Sequence, residues 1–172
     1  SMNGCNKPEA ISPPPPGNEF LTTTELVAVD KADTTVRDTA VWTKLDPNSP
    51  DPPDTSRAFL NLKPGHTYDV QIILLDETQN PVVVVSDEIK ERQNYHLFCF
   101  DISGGLNLTV NRTDLDTNNP PLPVGLTDNF ITGSASNGSL EVILRHQPNS
   151  KNGTCDPGST DLDVTFQINI QP

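Results

Sequence analysis

The sequence is short of cations, of aromatic residues and of long apolar runs, and each shortage excludes something. Eleven Lys and Arg stand against 23 Asp and Glu, a formal net charge of −12 at pH 7. Phosphate binding needs clustered Lys and Arg, so a nucleic-acid partner is excluded. The charge keeps the chain soluble and favours cations or basic partners. No run approaches the roughly 20 apolar residues of a membrane helix, so the polypeptide itself does not span a bilayer that way. Aromatic residues make up 5% and hydrophobic residues 33%. That is too little for the near-continuous apolar strands of a doubly wound parallel fold, and it suits alternating strands in a two-layer sandwich. No His-Glu-x-x-His, CxxC or phosphate-cradling glycine motif occurs. Gly133-Ser134-Ala135-Ser136-Asn137-Gly138 lacks the following helix that a nucleophile elbow requires. No enzymatic activity is expected, and a hydrolase is the least favoured class.

Cysteine is scarce and odd in number: Cys5, Cys99 and Cys155. Behind Ser1-Met2, which reads as an expression remnant, comes Asn3-Gly4-Cys5, then the proline-rich Ile11-Ser12-Pro13-Pro14-Pro15-Pro16-Gly17. A glycine before a cysteine, with a polar, Pro-rich spacer behind it, is how a bacterial lipoprotein begins once its signal peptide is removed. Cys5 is therefore a candidate lipid attachment site, the alternative being a free thiol. The spacer favours extended polyproline geometry and would hold a domain away from a membrane. Cys99 and Cys155 then remain as a candidate disulfide in an oxidising compartment, or as two separate thiols. Residues 1–18 read as a tether and 19–172 as one domain.

Between turn signals the chain offers about 8–10 short strands, an all-β pattern. The expected strands cover 20–29, 34–44, 57–62, 67–75, 81–86, 94–100, 106–112, 124–132, 139–146 and 161–170. The last alternates cleanly, with Leu162, Val164, Phe166, Ile168 and Ile170 on one side. Residues 88–92 read as one helical turn. Trp42, the single tryptophan, reads as core or, less readily, as a binding residue. The stretch Leu60–Leu75 carries Lys63-Pro64-Gly65 and then Tyr68. A tyrosine there, turning its hydroxyl back onto the preceding corner, marks a Greek-key, immunoglobulin-like β-sandwich.

Two resemblances attach to these segments. Leu62-Lys63-Pro64-Gly65-His66-Thr67-Tyr68 is similar to the corner of fibronectin type III domains. A wider pattern resembles a family of small uncharacterised lipoproteins of Bacteroidetes-type bacteria. It comprises Gly17–Thr23, Leu75–Pro81, Asn94–Phe98, Val124–Thr127, Leu144–Pro148 and Thr160–Val164. The resemblance implies an outer-membrane lipoprotein of the cell envelope that captures or presents a ligand beside a TonB-dependent receptor. The competing expectation is a structural or adhesive module without a small-molecule site.

Three groups of residues are candidates for chemistry. Asp114, Asp116 and Asn118 have the alternate spacing of oxygen ligands in calcium loops, although an EF-hand would need Gly and Glu where Asn119 and Gly125 stand. Asp46, Asn48, Asp51 and Asp54 form a second, weaker acidic loop. His96 and His146 each take the parity of an apolar strand face and lie near strand ends. Meeting at one rim, with Asp76, Glu77 or Asp101 as the carboxylate, they would hold zinc or copper. His66, in the corner turn, is expected to be exposed.

Overall fold

The computed structural model describes residues 20–172, so Cys5 and the proline-rich tether lie outside the described residues. In chain order the elements are β1 (Thr23–Asp30), β2 (Arg37–Thr43), β3 (Asp54–Arg57), β4 (Phe59–Leu62), β5 (Thr67–Asp76) and β6 (Val83–Val84). Then come α1 (Val85–Glu91), a 3-10 turn (Gln93–Tyr95), β7 (His96–Ser103), β8 (Leu108–Arg112), β9 (Thr127–Thr132), β10 (Ser136–His146) and β11 (Ser159–Ile170). The strands form two sheets. One is ordered β3-β2-β1-β5-β9-β8, with β6 on the end of β5; the other is ordered β4-β11-β10-β7. All pairings are antiparallel except β4 with β11.

The protein is therefore an all-β sandwich. Alternation drives it: Leu26 and Ala28, Val70, Ile72 and Leu74, Leu140, Val142 and Leu144, and Val164, Phe166 and Ile168 all turn inward to one shared core. Burial of such side chains contributes about 1.5–3 kcal/mol each. The tyrosine corner forms as the sequence suggests. The Lys63 N–H donates to the Tyr68 hydroxyl at 2.8 Å, and Tyr68 is buried. The corner carries the chain from β4 in the smaller sheet to β5 in the larger one.

Several expectations need correction. Residues 81–86 are not a strand: only Val83–Val84 pair with β5, and the chain then turns into α1. Val85 and Ile89, four residues apart, bury one helical face in the core, and Asp87 and Glu88 sit in the first turn, where the helix dipole favours them. Ser136–Gly138 belong to β10 rather than to a loop. A side chain at Gly138 would meet the Ser103 carbonyl at 2.3 Å, so the strand needs glycine there. His66 is half-buried instead of exposed, because its Nδ1 lies 2.6 Å from a carboxylate oxygen of buried Asp30. Trp42 packs on the core while remaining partly exposed.

Cys99 and Cys155 are joined by a disulfide across 56 residues of sequence. It staples the loop between β10 and β11 onto β7. Closing a loop of that length in the unfolded chain contributes roughly 2–4 kcal/mol. The Cys99→Ser/Cys155→Ser double variant should lose that amount in urea unfolding under non-reducing conditions. An unchanged midpoint would mean that the bridge contributes nothing. Among the described residues no helix is long and apolar enough to cross a membrane.

Candidate metal centre

β7 and β10 are antiparallel neighbours, and their register places His146 directly opposite His96. Both residues follow the parity of Phe98 and Leu144, so both rings point to the inner side of the smaller sheet at its end. The ring centroids are 5.1 Å apart. His96 Nε2 and His146 Nδ1 face one another at 3.2 Å.

The third member comes from β11. Leu144 pairs with Leu162, but Arg145 pairs with Thr160, so β11 advances by one extra residue. That extra residue is Asp161. Strict alternation would turn Asp161 outward with Asp163. The bulge re-aims it, as bulges commonly do near functional sites. Asp161 Oδ2 lies 3.4 Å from His96 Nε2 and 3.5 Å from His146 Nδ1. The three donor atoms form a nearly equilateral triangle. A tetrahedral transition-metal ion with bonds of about 2.0–2.1 Å spaces its ligand atoms about 3.4 Å apart. The triangle has that size.

The surroundings hold the donors in place. His96 is 3% exposed. Its Nδ1 lies 2.9 Å from the carbonyl of Arg92, the residue that caps the C-terminus of α1. A carbonyl only accepts, so Nδ1 carries the proton and Nε2 keeps its lone pair for the site. A backbone carbonyl in this role is the usual orienting partner of a metal-binding histidine. Tyr95 packs against both rings, edge-on to His146 with centroids 5.7 Å apart. Gly158 lies against the His146 backbone, with φ +85°, and a Cβ there would fall 1.9 Å from the His146 carbonyl oxygen. Only glycine admits that approach, and it brings the end of the β10–β11 loop against the backbone of β10. Arg145 donates to the carbonyls of Asp156, Pro157 and Gly158, and Gln147 donates to those of Thr154 and Pro157.

The carboxylates that the sequence offered for this site lie elsewhere. Asp76 accepts from the Thr78 N–H and hydroxyl and caps its own turn. Glu77 accepts from the Thr23 hydroxyl at 2.6 Å. Asp101 is exposed and pairs in register with Glu141.

The acidic loops are committed to protein donors. Asp114 accepts the backbone N–H groups of Gly125 and Leu126 at 2.6 and 2.9 Å. Asp116 accepts from the N–H groups of Asn118 and Leu122, the Asn118 side-chain amide and the Lys151 ammonium, the last at 2.8 Å. Burial pushes the Asp116 carboxyl up, but Lys151 and these amides outweigh it and hold it below its ordinary value. A calcium ion would have to displace Lys151, whose side chain is 2% exposed. The loop instead braces the turn before the candidate site. Asn118 donates to the Asn94 carbonyl, Thr117 donates to the Asn94 side chain, and Lys151 donates to the Gln93 carbonyl. These contacts fix the turn that delivers His96. In the weaker loop, Asp46 and Asp54 accept N–H groups two residues on, those of Asn48 and Ser56.

No family model, curated protein or solved structure matches this chain.

Proposed function

We propose that this is a non-enzymatic protein of the bacterial cell envelope that captures a transition-metal ion, zinc or copper, through His96, His146 and Asp161. The observation that carries the reading is the 3.2–3.5 Å triangle of His96 Nε2, His146 Nδ1 and Asp161 Oδ2. Imidazole nitrogen with one carboxylate is a donor set for zinc or copper rather than for calcium. Lipid on Cys5 would anchor the domain to the outer membrane, and a membrane receptor would be the partner that takes the metal onward.

Isothermal titration of chelator-treated protein with zinc and with copper tests the reading. The expected result is one ion per chain for either metal, with calcium giving no heat. Stoichiometric calcium binding without zinc or copper binding would overturn it.

A further inference from the structure

The geometry points to a second property of the same site, and it rests on the metal-binding reading. We infer that the bound ion keeps an exchangeable coordination position, and that the ligand taken there is a small aromatic carboxylate seated in the adjoining cleft.

Among the described residues, His96, His146 and Asp161 are the only His, Cys, Asp or Glu side chains that form such a group. Structural sites are closed by four protein ligands, whereas three ligands leave a place for water or an incoming donor. The position is reachable: the His146 side chain is 27% exposed, while those of His96 and Asp161 are 4% and 10% exposed.

Asp161 also belongs to a second feature. A cleft of about 400 Å³ is lined by Asp161–Val164 of β11 and by Phe20, Trp42, Lys44, Pro47 and Asn48. Along this stretch β11 has β10 on one side only, because β4 begins to pair at Gln167. The cleft therefore opens between the free edge of β11 and the end of β2. Its lining mixes the apolar Phe20, Trp42 and Pro47 with the polar Lys44, Asn48, Asp161 and Asp163, and Asp161 joins it to the three donor atoms. Trp42 and Phe20 supply faces on which a ring can stack.

Charge selects the head group. Two neutral imidazoles and one carboxylate leave a divalent ion with one net positive charge. Lys44 adds a second cation at the rim. Asp163, which also lines the cleft, offsets Lys44, so the positive charge left for a ligand is that of the metal ion. An anionic donor completes the coordination sphere with charge complementarity, and a neutral donor does not. A carboxylate attached to an aromatic ring matches the metal at one end and the Trp42 wall at the other.

Cobalt(II) replaces zinc as a visible probe of the fourth position. Benzoate added to the cobalt-loaded protein should change the visible absorption and bind about tenfold more tightly than acetate. Metal-free protein should not bind benzoate. Trp42→Ala should remove most of the preference for benzoate and leave acetate unchanged. Phe20→Ala, at a residue 36% exposed, repeats the test without opening the core. A cobalt spectrum insensitive to both anions would overturn the exchangeable position. Equal affinities for benzoate and acetate, or a preference unaffected by both variants, would overturn the cleft as the seat. Failure of cobalt, zinc and copper to bind at all would overturn the metal-binding reading itself.

Discussion

Asp128→Asn should stabilise the protein at pH 8 by on the order of 4–5 kcal/mol and leave it nearly unchanged at pH 4. Asp128 sits on β9 with its side chain turned inward beside Phe130, and it is 1% exposed. Neither carboxylate oxygen has a hydrogen-bond partner among the described residues. Arg112 lies opposite it in register, yet the guanidinium reaches the Phe98 carbonyl and the sulfurs of Cys99 and Cys155 instead.

Burial pushes the Asp128 carboxyl up to about 8; Asp114 adds to the effect and Arg112 opposes it. In an unfolded chain the same carboxyl titrates near about 3.9. Between these two values the folded state holds a proton that the unfolded state has lost. Stability therefore falls as pH rises from about 4 and levels off above about 8. Asparagine keeps the shape and removes the titration. Urea unfolding of both proteins at pH 4.5, 6 and 8 gives the answer. Parallel pH profiles for wild type and Asp128→Asn would show that the carboxyl is solvated and titrates normally in the folded state.

His96→Ala should lower zinc affinity by more than the roughly 10–100-fold that losing a hydrogen-bond partner of a metal ligand costs. His96 supplies the most buried donor and the one whose orientation is set by the Arg92 carbonyl. His146→Ala should do the same with less disturbance of the fold, since its ring is partly exposed. Competition titration against a chelator of known affinity measures both. Unfolding curves of the metal-free variants separate lost coordination from lost structure. If both variants retain wild-type affinity while folded, the ion sits elsewhere.

Much of this was legible in the sequence, and the reasons are local. Period-two alternation in Leu162–Ile170 survives because one face is buried against a core and the other faces water. Tyr68 was legible because a corner tyrosine has a fixed relation to the turn before it. His96 and His146 were legible as a pair because parity placed each on an apolar face near a strand end.

Asp161 was not legible. Extending the alternation of β11 back to Asp161 points it outward, and the one-residue bulge that reverses it is set by pairing with β10. The nearest sequence signal was the run Thr160-Asp161-Leu162-Asp163, which by itself reads as an exposed edge. α1 was hidden for a related reason. The valine run at 82–85 favours strand by propensity, and only packing of Val85 and Ile89 on the core turns it into helix. The roles of Asp114 and Asp116 depend on Gly125 and Lys151, partners 11 and 35 residues away.

One ion held jointly by His96, His146 and Asp161 has a direct crystallographic signature. Anomalous diffraction at the zinc edge, from crystals grown with stoichiometric zinc, tests it most directly. One strong peak is expected about 2 Å from His96 Nε2, His146 Nδ1 and Asp161 Oδ2. Zinc bound only at the Asp114–Asn118 loop, or no peak between the two histidines at saturating zinc, would contradict it.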